Sequence, residues 1–260
     1  MLNFEELTPK THQVKDIKIL LVAFLGAVLF FSCKKNSGNS GGSSVSKPKK
    51  YTETITSSIL GNSSTTYNLT YDANGRIISM ADASGSGNKF VYQYNANNTF
   101  TMDQYNSNVL SIHEICFINS LSYVDSTFQY NNTGDSSTEK YFYNAAKQLV
   151  KDKEYDYSKA SGAQLSNTHN YSYDNNGNPI LDVDDNTSTS YTYYSDLKNT
   201  LSLGQVYFPQ PLNLAKTTIS TSGGSTITRN QSYTFDGSNR LTSEKDVLNT
   251  GDVFVKTYTY

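Results

Sequence analysis

Tyr71-Asp72-Ala73-Asn74-Gly75-Arg76-Ile77 and Phe235-Asp236-Gly237-Ser238-Asn239-Arg240-Leu241 decide the fold. In each, an aromatic ring precedes an Asp whose side chain can bond the backbone ahead and open a turn. Three residues on stands Gly75 or Asn239, and Gly and Asn tolerate positive φ. A type I turn closed by such a residue is a common hairpin loop. Apolar character resumes at Ile77 and Leu241. Each stretch therefore reads as strand, tight turn, strand.

Shorter copies occur at Tyr94-Asn95, Tyr130-Asn131, Tyr143-Asn144 and Tyr173-Asp174. Two residues before the aromatic lie Leu69, Tyr92, Phe128, Tyr141, Tyr171 and Tyr233, on the same face of a strand. Six residues after it come Ile77, Phe100, Leu149, Pro179 and Leu241, whereas the Tyr130 copy departs with Ser136. Asn98 and Gly177 suit the turn position, and Lys147 suits it least. Composition agrees. The 260 residues hold 21 Tyr and 12 Phe, no Trp, and only 17% charged residues. Thr, Tyr and Phe favour strands, and the abundant Ser, Thr and Asn compete with helical hydrogen bonds.

The predicted fold class is all-β: an antiparallel hairpin meander forming a large curved sheet or a soluble barrel-like sheet over 51–260. Phe254-x-Lys256-x-Tyr258-x-Tyr260 supplies its last strand. A lipid-spanning barrel needs an apolar outward face about 25 Å tall. The run Thr226-Ile227-Thr228-Arg229-Asn230-Gln231-Ser232 is polar and argues against one. Residues 197–216 lack the turn and contain two Pro, so an irregular segment capping or crossing the sheet is expected there.

The two full turns resemble the YD repeat of RHS-type bacterial proteins, Tyr-Asp-x-x-Gly-Arg-Leu. The resemblance reaches five or six short units, with variable spacing and Arg in only two. The chain is also similar to small exported lipoproteins of Gram-negative bacteria with a YD-type domain of porin-like fold. That likeness implies a curved antiparallel sheet and no reaction.

Ile19 to Phe31 is an unbroken apolar run. A spanning helix needs about 20 residues, so the run fits the h-region of an export signal. It ends in Ser32-Cys33, which resembles the lipobox of bacterial lipoproteins, although Phe30-Phe31 departs from the usual pattern. The resemblance implies a signal peptide over 1–32 and a diacylated Cys33. Residues 33–50 would form a lipidated flexible tether. The chain would then sit at the outer membrane, facing the periplasm or the cell surface. The charges ahead of the run sum to zero, whereas a start at Val14 leaves a net of plus one. Val14 is therefore the expected initiator, since signal n-regions are positive. Residues 34–50 carry five Lys and no acid, a charge balance suited to an anionic lipid surface.

The domain 51–260 holds 13 basic and 20 acidic residues, a net of minus seven. That disfavours nucleic acid, whose binding rests on phosphate neutralisation. No catalytic residue, metal ligand or cofactor motif is expected. In Leu110 to Ile118, alternation puts Leu110, Ile112, Glu114, Cys116 and Ile118 on one face and His113 on the other. Base and nucleophile then point apart, and Cys116 reads as packed. Asp182, Asp184, Asp185 and Asn186 resemble a calcium cluster, but lack its spacing and read as a solvated strand end. His113 and His169 lack a third zinc ligand. Ser222-Gly223-Gly224-Ser225 reads as a turn. Tyr-x-Tyr pairs at 92/94, 141/143, 155/157, 171/173, 191/193 and 258/260 could stack on sugars, but their place before turns argues first for packing. The expected role is structural or binding, at the envelope. The alternatives are a glycan- or peptide-binding module using exposed Tyr or 197–216, and a hydrolase with unidentified carboxylates.

Overall fold

The computed structural model describes residues 46–132, 134–158, 162–199 and 209–260. The export run, Cys33, Val14 and the tether up to residue 45 lie outside the described residues, as does the middle of 197–216. The first eight strands are β1 (Lys50–Ser57), β2 (Gly61–Tyr71), β3 (Ile77–Asp82), β4 (Lys89–Tyr94), β5 (Thr99–Asn106), β6 (Val109–Ile118), β7 (Val124–Asn131) and β8 (Ser136–Tyr143). The rest are β9 (Leu149–Ser158), β10 (Gly162–Tyr173), β11 (Pro179–Val183), β12 (Thr187–Lys198), β13 (Asn213–Ser222), β14 (Ser225–Phe235), β15 (Leu241–Leu248) and β16 (Val253–Thr259). Each pairs antiparallel with its sequence neighbours, and β16 returns to β1, so the sheet closes into a barrel. Along the seam Tyr51 faces Tyr258 and Thr52 faces Thr257.

Strict alternation places the acid-and-aromatic turns at one rim, together with the start of β1 and the end of β16. There the Asp72 amide donates to the Arg76 carbonyl and the Gly75 amide to the Asp72 carbonyl, both at 2.9 Å. Asp72 Oδ1 in turn accepts the Arg76 amide at 2.8 Å. The same loop recurs at Asn95, Asn144, Asp174 and Asp236. The residue three positions on has positive φ each time: Gly75 +71°, Asn98 +57°, Lys147 +63°, Gly177 +82°, Asn239 +60°. Lys147 thus adopts the left-handed conformation despite its side chain. Asn119 to Tyr123 builds one more such turn, with Ser122 at φ +67°. The sequence pattern hides it, because Ile118 stands where the ring should be. The Tyr130-Asn131 copy belongs to the opposite rim, which explains its departure from the spacing.

The rings stitch neighbouring hairpins together. Tyr94 Oη donates to the carbonyl of Ile77 at 2.8 Å, and Tyr143 Oη to that of Val124 at 2.7 Å. Tyr173 reaches Leu149, Tyr193 reaches Pro179 and Tyr260 reaches Leu241, at 2.7, 2.7 and 2.9 Å. Each acceptor opens the preceding strand. Tyr71 extends the series to Pro48 at 2.8 Å, so the folded unit takes in the last residues of the tether. The arginines complete it: Asp72 and Asp236 hold Arg76 and Arg240 at 2.6 Å. Those guanidiniums lie 4.0 Å from the Tyr94 ring centre and 4.4 Å from that of Tyr260. Lys47 takes the same place over Tyr71, at 5.4 Å.

Alternation also sorts the two faces. Leu69, Met80, Tyr92, Ile227, Phe254 and Tyr258 point inward and are buried. The outer face of β1, β2, β13 and β14 is hydroxyl-rich and laddered by Thr52–Thr66 at 2.9 Å, Thr54–Ser64 at 3.1 Å and Thr221–Thr226 at 3.1 Å. Thr226, Thr228, Asn230, Ser232 and Thr234 form the outward row of β14. No lipid-compatible band runs around these strands. The expected irregular segment 197–216 is narrower than predicted: 197–198 belong to β12 and 213–216 to β13. The Asn199 amide still donates to the Leu212 carbonyl at 3.0 Å across its base.

Tyr173→Phe removes one buried-end hydrogen bond and should cost about 1 kcal/mol in urea unfolding. Phe at 235, which already lacks the hydroxyl, sets the control: Phe235→Tyr should not restore that loss.

Candidate functional site

Two inward clusters concentrate the charge. On β14 to β16, Lys256 Nζ lies 3.3 Å from Glu244 Oε2, and Arg229 Nη1 lies 3.2 Å from Asp246 Oδ2. Lys256 is 3% exposed and Asp246 2%, so water does not reach them. A barrel of 16–18 strands is wide enough for an aqueous channel; here these inward charges are joined by the inward rings of Tyr51 on β1, Tyr233 on β14 and Tyr258 on β16. Pairing inside a dry wall offsets the large cost of burying charge. Burial, reinforced by the nearby Glu244 charge, pushes Asp246 up to about 6.

The second cluster lies on β6 and on β8 to β11. Glu114 and Cys116 point in from β6, Glu139 and Tyr141 from β8, and Asp152 and Glu154 from β9. His169 and Tyr171 project from β10 and Asp182 from β11. Tyr171 Oη donates to Asp152 Oδ2 at 2.6 Å. Asp152 is 1% exposed and its Oδ1 lacks a conventional hydrogen bond. Two adjacent buried carboxylates cannot both ionise cheaply. Burial, with the Asp152 and Glu154 charges adding to it, pushes Glu139 up to about 8. Burial also raises Asp152, Glu114 and Glu154. His169 Nδ1–H donates to Asp182 Oδ1 at 3.0 Å, and that bond raises His169 to about 9.

The structure places the residues singled out in sequence as follows. Cys116 is buried beside Phe100 and Val124, with its thiol pushed up by burial. His113 faces outward, 2.5 Å from Asp103 Oδ1 and against the Tyr130 ring, so it does not meet Cys116. Asp182 is no solvated strand end: it faces inward to His169, and Asp184 lies 4.0 Å from His169 Nε2. Asp184 Oδ1 also accepts the Asn186 amide at 2.7 Å, which is the expected turn. Among the described residues, no group of three or more His, Cys, Asp or Glu is arranged to hold a metal ion. Acid–base work on a substrate needs contact with it, and Asp152 is closed to solvent. The Tyr-x-Tyr pairs divide: Tyr92, Tyr94, Tyr141, Tyr143, Tyr171, Tyr173, Tyr191, Tyr193, Tyr258 and Tyr260 face inward, while Tyr155 and Tyr157 face out. The inner carboxyls of β9 were missed, though Lys151-Asp152-Lys153-Glu154-Tyr155-Asp156-Tyr157 alternates acids with everything else.

No family model matches the chain, and no curated protein matches it. Among solved structures, a porin-like protein from Bacteroides uniformis aligns with TM-score 0.57 at 14% identity, covering 82% of this chain and 97% of that one. The likeness shows a shared fold. The crystal structure of TcdB2-TccC3-TEV aligns at 15% identity over 74% of this chain and 10% of that one, with TM-score 0.22, too low to carry an argument.

Glu139, Asp246 and His169 all hold protons more tightly folded than unfolded. Their contribution is therefore fully present below the unfolded values and lost as pH rises through about 6, 8 and 9. The opposite sign holds at Asp236, lowered by the Arg240 amide and guanidinium, and at Asp82, lowered by the Ser86 hydroxyl. Stability should therefore peak in the weakly acidic range. The unfolding midpoint should fall from about pH 5 to about pH 9, and Glu139→Gln should flatten the part of that slope below about pH 8.

Proposed function

We propose that the chain is a lipid-anchored, non-enzymatic β-barrel of the cell envelope that stands in water and serves as a binding scaffold. The observation that carries this is the pairing of the hydroxyl-rich outer face of β1, β2, β13 and β14 with the way the chain joins the barrel. Lys47 Nζ bonds the Gly75 carbonyl, Pro48 is buried, and Ser46 accepts from Arg240. The tether thus leaves from the rim of acid-and-aromatic turns. From Cys33 to Ser46 a flexible chain reaches roughly 20 Å. An acylated Cys33 would hold that rim toward the bilayer, with two chains supplying stable anchoring. The likeness to a porin-like barrel supports an outer-membrane or envelope setting. The YD-like turns act here as structural joints and give the scaffold no reaction.

Growth with labelled palmitate followed by fractionation tests the reading. The wild-type chain should carry label and sediment with membranes, and Cys33→Ser should carry none and become soluble or stall before export. A Cys33→Ser barrel that remains integral to the membrane would contradict it.

A further inference from the structure

The outer wall is not uniform. Opposite the hydroxyl-faced strands, hairpin β8–β9 turns lysines and rings to solvent. Lys140 sits directly across from Lys153, and Phe142 across from Lys151. Like charges facing each other across a ladder destabilise it. Among the described residues no acid pairs with any of the three; the hairpin's acids, Glu139, Asp152, Glu154 and Asp156, alternate onto the inner face. Lys140 Nζ lies 5.7 Å from the Tyr155 ring centre. Phe142 is 44% exposed and Tyr157 38%. Along β9 the outward row is Lys151, Lys153, Tyr155 and Tyr157, about 20 Å long at strand rise. Thr138 on β8, and Thr168 and Asn170 on β10, flank the lysines with neutral hydrogen-bonding groups.

This wall has the chemistry of one ligand class. Unpaired lysines call for anionic groups, the aromatic faces call for C–H surfaces, and the hydroxyl and amide margin calls for hydroxyls. A carbohydrate chain bearing carboxylates or sulfates presents all three at regular spacing. The domain's net charge of minus seven repels polyanions elsewhere, so attraction must be local. A bilayer would instead favour lysines gathered at a rim, and this row runs along the strand from rim to rim. Tyr155 and Tyr157 are also the outward exception among the Tyr-x-Tyr pairs, and no turn of the repeat follows them.

We propose that the outer wall of hairpin β8–β9 binds a linear acidic polysaccharide, with Lys140, Lys151 and Lys153 holding its anionic groups and Tyr155, Tyr157 and Phe142 packing on its sugar faces. The proposal deepens the scaffold reading but does not depend on the lipid anchor. A failed palmitate experiment leaves it standing, and a failed binding experiment leaves the anchor standing.

The test is calorimetric titration of the purified full-length chain in detergent with polygalacturonate, dextran sulfate and neutral dextran, with phosphatidylglycerol vesicles as a separate arm. Both polyanions should bind, more weakly as salt rises, and neutral dextran at least tenfold more weakly. Lys140→Ser with Lys153→Ser should lose at least tenfold on both polyanions with an unchanged unfolding midpoint. Tyr155→Ser with Tyr157→Ser should lose affinity for polygalacturonate while keeping the salt slope. Lys216→Ser with Lys245→Ser, which removes the same charge from exposed positions elsewhere, should leave binding unchanged. The proposal is overturned by equal losses in the two lysine pairs, by equal affinity for neutral dextran, or by vesicle binding without polysaccharide binding. Absence of any binding overturns it too.

Discussion

A tyrosine hydroxyl donating to the carbonyl that opens the preceding strand is the contact on which this barrel depends. A hairpin meander has no intrinsic reason to close: each two-stranded unit is satisfied locally and leaves its curvature free. Here Tyr71, Tyr94, Tyr143, Tyr173, Tyr193 and Tyr260 each tie one hairpin to the one before it. The turn prepares the contact. Its Asp or Asn caps the loop and, where Arg follows, holds a guanidinium over the ring of the next tyrosine. Ring, acid and Arg are one joint repeated along one rim. The ring belongs to one hairpin and its acceptor to the last, so each joint fixes a relative angle as well as a distance. Tyr71 reaching Pro48 and Tyr260 reaching Leu241 bring that order up to the seam.

The same alternation that seats the rings separates charge. On β9 a lysine or tyrosine faces water and the next residue, an acid, faces the interior. The inner carboxyls crowd against Tyr141 and Tyr171, and burial raises Asp152 and Glu154 above the usual carboxylate range, while the outer lysines face each other across the ladder. One strand therefore carries an acid-favouring interior and an anion-seeking exterior. Neither property follows from the overall composition, whose acidic excess describes no single face.

Much of this was legible beforehand. The turns at Asp72, Asn95, Asn144, Asp174 and Asp236 were readable because a capping acid or amide and a positive-φ position are local requirements with few residue types to meet them. The turn at Asn119 was hidden because Ile118 replaces the ring and Ser122 replaces Gly or Asn. The Tyr130 copy misled for the converse reason: the motif is present, but parity puts it at the other rim with its ring outward. Closure of the sheet was not legible, since the pairing of β1 with β16 joins residues at opposite ends of the domain and leaves no local mark. The inward pairing of His169 with Asp182 depends on which face of β10 and β11 is interior, which a bulge near Tyr173 helps set. The wall of β8 and β9 leaves no mark in the sequence, because only the ladder sets Lys140 against Lys153.

Closure is the feature that all of these contacts serve, and the seam is where it can be measured. Thr52 and Thr257 face each other across β1 and β16 on the outer surface, within reach of a disulfide if the register holds. Thr52→Cys with Thr257→Cys, oxidised mildly and run on a non-reducing gel, should form an intramolecular bond in nearly every folded molecule. Two free thiols in the folded protein, or efficient bonding only when the second Cys is moved to position 255, would contradict a barrel closed in this register.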